Sequence, residues 1–245
     1  MWVRTAVVAL VLALAAQAQD AKKDGEEEAK NKLAEFKKEL KNVKTDQDLA
    51  KAIERLGSLQ HPKVMAELKA WLSKPSFDVA VAAAEQISKY KKDKDAAETL
   101  VNAAGNRKDK EGIVKCLRYS GDVEFKPITS KLTGFFKHKE TEVAREAVDS
   151  CGKLKSKEAI DPLLTLLREL ENIRDDKING GGGGLGGLGG GGLGGGVQQE
   201  QQKRKQDLTP AVTSALSQIT GENHKTFKDW NDWWRKAKGT FKETD

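Results

Sequence analysis

Four positions at near-equal spacing place the tightest constraint on what this chain folds into. Gly57, Ser88, Gly121 and Gly152 follow one another at steps in the low thirties, each near the expected end of a helix. Four positions before them stand Ile53, Ala84, Leu117 and Val148. Eleven positions after three of them stand Leu68, Leu132 and Leu163, and fifteen after stand Leu72, Phe136 and Leu167. In the copy after Ser88 the matching face slips by one position, to Leu100 and Ala104. Pro62, Pro127 and Pro162 recur near the start of the helix that follows, where the first turn tolerates a missing N–H. The fullest copy is Val143–Leu154 followed by Ile160–Leu167. Its Ala-rich helix lets a neighbour approach closely, and the helix after it presents a Leu face that needs such a neighbour to leave water. One pair cannot bury that face alone, whereas stacked copies can, so the period reads as a repeat array of helix pairs.

Composition agrees with helices. Charged residues make up 33% of the chain, led by Lys and Glu, which favour helices with long solvated faces. Aromatics are only 6%. Residues 19–44 form a charged leading helix with Leu33, Phe36, Leu40 and Val43 on one stripe. Thr45-Asp46-Gln47-Asp48 resembles a capping box with Asp in place of Glu, ahead of Leu49, Ala50, Ile53 and Leu56.

The next anchor after Gly152 is due near position 184, but Gly180–Gly196 is all glycine apart from Leu185, Leu188 and Leu193. Ordering such a tract is entropically expensive, and the Gln-rich, charged run to Lys205 continues it, so residues 179–207 read as a flexible loop. Leu208–Gly221 restores the missing second helix, one period plus a loop insertion beyond Gly152. A long insertion adds little closure entropy and the array tolerates it. Residues 222–245 carry Trp230, with Trp233 and Trp234 three and four positions later on the same helical face. They read as a helix capping the open end of the array, or as an aromatic platform for a sugar or partner peptide.

Residues 1–18 have the form of a secretory signal: Arg4, then an apolar stretch from Thr5 to Ala16, then Ala16-Gln17-Ala18 as the cleavage site. The stretch is too short to span a membrane. Export is therefore expected, to a periplasm, cell envelope or exterior. The formal net charge of +6 becomes +5 when Arg4 leaves with the signal. In an oxidising compartment Cys116 and Cys151, near the ends of equivalent helices, are a candidate disulfide, with two buried small hydrophobes as the alternative.

The pairs over residues 45–178 and 208–221, above all Val143–Leu167 and Leu208–Gly221, resemble HEAT repeats of the short bacterial kind. The resemblance implies an all-α α-solenoid of about five antiparallel helix pairs, with the Gly-rich loop inserted in the last pair and a Trp-rich capping helix. It also implies an interaction surface rather than an enzyme. Two departures stand out. Ala80–Lys92 lacks the terminal glycine, and only Arg145 matches the family's arginine after the Val that opens the second helix. Tetratricopeptide repeats share the length but not the residues found here.

No catalytic pattern competes with this reading. His61, His138 and His224 each lack a Glu or His partner at i+4, and no Gly-x-Ser-x-Gly elbow occurs. The glycine tract lacks the lysine of a phosphate-binding loop, and the two cysteines form no Cys-x-x-Cys, so neither cofactor nor metal is expected. On the second helices and their exits lie Lys51, Arg55, Lys89, Lys115, Arg118, Lys153 and Lys155. Converged, they would attract an acidic protein partner; scattered, they are solvated surface. No nucleic acid is expected for an exported chain. The expected function is a non-enzymatic protein-interaction scaffold. The alternatives are an envelope assembly factor acting through the glycine loop, or an accessory or lyase-like HEAT protein acting on a protein substrate.

Overall fold

The computed structural model describes residues 24–173 and 195–243. The expected signal segment, most of the glycine tract and the last two residues lie outside them. Among the described residues every regular element is a helix. They divide into two compact units between Tyr90 and Lys91, a boundary that the repeat period does not mark.

The first unit holds α1 (24–40), α2 (Asp46–Leu56), α3 (Pro62–Leu72) and α4 (Phe77–Ser88). Thr45 caps α2 as its spacing predicts: its hydroxyl oxygen accepts from Asp48 N–H at 3.1 Å and donates to the Asp48 carboxylate at 2.8 Å. Both α2 and α3 pack on α4. Phe36 of α1 is buried and meets Trp71 of α3 edge-on, with ring centres 5.9 Å apart. Leu33, Leu40 and Val43, the rest of the predicted stripe, are half-buried. Tyr90 Oη accepts from His61 N–H at 3.0 Å and donates to the His61 carbonyl at 3.1 Å, fastening the α2–α3 turn to the exit of α4.

The second unit holds α5 (Lys94–Asn106), α6 (Lys110–Asp122), α7 (Thr129–Thr133), α8 (Thr141–Leu154), α9 (Ile160–Glu171), α10 (Gly195–Thr220) and α11 (Phe227–Ala237). Asp93 and Asp109 cap α5 and α6 through the N–H groups of Ala96 and Gly112. Short 3₁₀ turns flank α7 on both sides, so this stretch is broken rather than one continuous helix. Helix α8 packs between α6 and α10, and α9 between α10 and α11. The periodic apolar positions are the core: Ile53, Ala84, Leu117, Val148, Leu68, Leu132, Leu163 and Leu167 are fully buried.

Two details were not in the sequence reading. The periodic glycines Gly57, Gly121 and Gly152 stand near helix ends as expected, but none of them takes a left-handed turn conformation. Gly57 ends α2 in right-handed conformation, and Gly121 and Gly152 lie inside α6 and α8. They are places of close approach: a Cβ on Gly57 would stand 2.3 Å from Gln86 Cγ, and one on Gly152 would stand 3.1 Å from Ala215 Cα. The reversals fall a few residues later, at Lys92, Glu124 and Lys155, all left-handed with φ between 50° and 64°. The other detail is α10, which starts at Gly195, not Leu208. Residues 195–207 are helical, not loop. Gln, Glu, Lys and Arg favour helix without leaving an apolar period to read. Arg204 and Lys205 also anchor the first turns of α10 to distant backbone. Arg204 donates to the carbonyls of His138 (2.9 Å) and Phe136 (2.8 Å), and Lys205 to that of Ile173 (2.9 Å). Pro210 therefore sits inside the helix rather than in its first turn.

Candidate functional site

The residues that could recognise a partner lie on the exposed faces of α2 and α4 in the first unit and α6 and α8 in the second. In the first unit, Arg55 makes a two-pronged contact with Glu39, Nη2 to Oε2 at 3.1 Å and Nε to Oε1 at 3.2 Å. Lys89 donates to the buried side chain of Gln86 at 2.6 Å. Lys51 lies in a groove of about 310 Å³ between α2 and α4 with Glu54, Asp78 and Glu85. Carboxylates outnumber cations there, so the predicted basic character is absent from this groove.

In the second unit, Arg118 forks onto Glu146, Nη2 to Oε2 at 2.7 Å and Nε to Oε1 at 3.2 Å. The Glu146 side chain is only 9% exposed. Its hydrogen bond holds the Arg118 guanidinium above its ordinary pKa. Lys153 reaches Asp122 at 2.8 Å, and Arg145 lies 3.8 Å from Asp149. Burial, with Glu146 nearby, pushes the Asp149 carboxyl up. Lys115 is half-buried on α6, and Lys155 occupies the left-handed position after α8. This surface is a lattice of alternating charges. The spacing found the cations but not the acids opposite them, because Glu146 and Asp122 each sit about one repeat away in sequence.

Cys116 and Cys151 are both buried free thiols. The candidate disulfide is not formed, and the two cysteines take the alternative place of small buried side chains. On α8 it is Ser150 that turns toward α6, its hydroxyl donating to the Leu117 carbonyl at 2.9 Å. Burial pushes the Cys116 thiol up to about 11 and Cys151 upward as well, which is the wrong direction for a nucleophile. His61 and His138 are occupied in turns, their Nδ1 atoms accepting from Lys63 N–H and Glu140 N–H. Among the described residues no group of three His, Cys, Asp or Glu is arranged to hold a metal ion. Nor is any of their helices long and apolar enough to cross a membrane.

The three tryptophans divide by burial. Trp230 and Trp234 are buried where α11 packs on α9, while Trp233 is half-buried against His224 and Phe241. Polar clasps hold α11 down. Trp234 Nε1–H and Lys238 Nζ donate to the two oxygens of Asp161 at 2.8 and 2.7 Å, and Phe227 N–H donates to Glu171 at 2.6 Å. Lys157 donates to the Lys238 and Phe241 carbonyls and lies over the Trp234 ring. Two of the three rings are thus spent on packing, leaving Trp233 as the accessible one. No family model and no curated protein matches the chain.

Proposed function

We propose that the chain is a HEAT-like α-solenoid of about five helix pairs that acts, once exported, as a non-catalytic protein-interaction scaffold. The observation that carries this reading is the set of polar contacts in the second unit that join residues one repeat apart. Lys131 meets Glu98 at a sequence separation of 33, Lys137 meets Glu169 at 32, Lys153 meets Asp122 at 31, and Ser150 meets the Leu117 carbonyl at 33. Contacts between equivalent positions of successive units are how a repeat array holds itself together, and such arrays work as extended binding surfaces. The raised thiols and the turn-bound His61 and His138 give no reactive centre, which fits a scaffold better than a lyase-like enzyme.

The α6–α8 lattice is the proposed contact surface, and its mixed charge suits a protein partner that is itself mixed in charge. A photo-crosslinker at Arg145 tests this in the native host. One partner captured there, and lost when the crosslinker is moved to Thr165 on α9, is the expected result. Equal capture from both positions, or none from either, would reject the surface.

A further inference from the structure

Beside α10, the segment 221–226 borders a cavity of about 400 Å³ that the scaffold reading does not use. Thr209, Ser214 and Ser217 line it from the helix, and Asn223, His224 and Lys225 from the segment. Among the described residues, three buried side-chain polar atoms have no hydrogen-bond partner: Thr209 Oγ1, His224 Nε2 and Trp230 Nε1. Thr209 and His224 both line the cavity, and the Trp230 ring meets His224 edge-on at 4.8 Å. A buried polar atom left unpaired is costly, and two in one cavity, with a third on the ring beside it, point to a missing guest.

The lining identifies the guest's chemistry. Its polar side chains are hydroxyls, an amide, an imidazole and an ammonium, all able to donate hydrogen bonds, and no carboxylate lines the cavity. That sets it apart from the charged surface elsewhere in this unit, where Arg118, Lys153 and Lys238 each face an acid. Most of these groups can also accept, but the Lys225 ammonium repels a cation and no carboxylate offsets it, and an apolar group would satisfy none of them, whereas a group with several anionic oxygens satisfies many at once. The C-terminal dipole of α10 opposes an anion, but Gly221 N–H and the Thr220 hydroxyl already engage the carbonyls of Ser217 and Leu216. We propose that this cavity binds a small oxyanion, a phosphoryl or carboxylate group, with Lys225 as its counter-charge and Thr209 and His224 as donors.

The test is a ¹⁵N NMR titration of the full chain with inorganic phosphate and, separately, with acetate, each against chloride at matched ionic strength. The expected result is saturable shifts at residues 223–225 and at the Trp230 indole N–H. Lys225→Ala should weaken binding roughly tenfold, as loss of a charge-assisted hydrogen bond does. Saturation by phosphate alone assigns a phosphoryl group, by acetate alone a carboxylate, and by both any oxyanion. Shifts that chloride reproduces, that never saturate, or that Lys225→Ala leaves unchanged would overturn the proposal and leave the cavity to water. Lys225 is exposed, so its variant keeps the fold, and Thr209→Val checks the buried donor independently.

Discussion

Gly121 of α6 lies so close to Ser150 of α8 that a Cβ on the glycine would stand 3.0 Å from the serine Cβ and Oγ and 3.1 Å from its Cα. The Cα belongs to a helix backbone and cannot swing aside. Gly121→Ala should therefore lose about 1 kcal/mol or more, although alanine ordinarily gains nearly that much inside a helix. Gly105→Ala, in α5 with nothing within 4 Å of its Cβ, should instead gain up to about 1 kcal/mol. Urea denaturation of the two variants checks the contrast; equal effects would mean the close approach is not felt.

Arg118 and Glu146 give a second contrast. With Glu146 9% exposed, removing its partner leaves a buried carboxylate, and Arg118→Ala should cost about 1–3 kcal/mol. Adding Glu146→Gln should recover part of that loss by removing the stranded charge. The Lys137–Glu169 pair, at 75% and 43% exposure, should show a coupling of about 0–1 kcal/mol in the same kind of double-mutant cycle.

The clasp on α11 depends on pH in a direction that can be worked out. Burial works to raise the Asp161 carboxyl, but the hydrogen bonds from Lys238 and Trp234 outweigh it and hold it below the ordinary carboxylate value. A carboxyl lowered by folding adds stability above its unfolded pKa and loses it as pH falls through the folded one. Acidification below the ordinary carboxylate range should loosen α11 and shift tryptophan emission to the red as Trp234 meets water. Asp161→Asn keeps an oxygen for Trp234 but not the ion pair to Lys238, so it should flatten that acid dependence. An unchanged emission curve in the variant would assign the transition to other carboxylates.

The helices were legible because burial leaves an apolar period: Ile53, Ala84, Leu117 and Val148 recur in sequence and each is fully buried in its helix. The roles of the glycines were not legible, since the spacing is the same whether a glycine reverses the chain or admits a neighbour. Only the second holds for Gly121 and Gly152. The start of α10 was hidden because Gln198 to Lys205 show no apolar stripe, and what anchors them is carbonyls remote in sequence. The acids beside the predicted cations were hidden for a related reason. Arg118 and Lys153 are cations by composition, but the carboxylates they meet, Glu146 and Asp122, are about thirty residues away in sequence. The cavity beside His224 had no sequence signal at all, because hydroxyls on one face of α10 read as solvated surface.

The cysteines give the last prediction. Cys116 and Cys151 are 2% and 0% exposed, and burial raises both thiols, so neither offers thiolate to a reagent while the protein is folded. Ellman's reagent should report almost no thiol in the native protein and two after denaturation, with a native rate that tracks opening of the α6–α8 packing. Cys116→Ala should leave the reactivity of Cys151 unchanged, since the two do not share a bond. Fast labelling of one thiol in the native state would place it at the surface, and a mass two hydrogen atoms lighter after air oxidation, with oxygen as the electron acceptor, would show a disulfide.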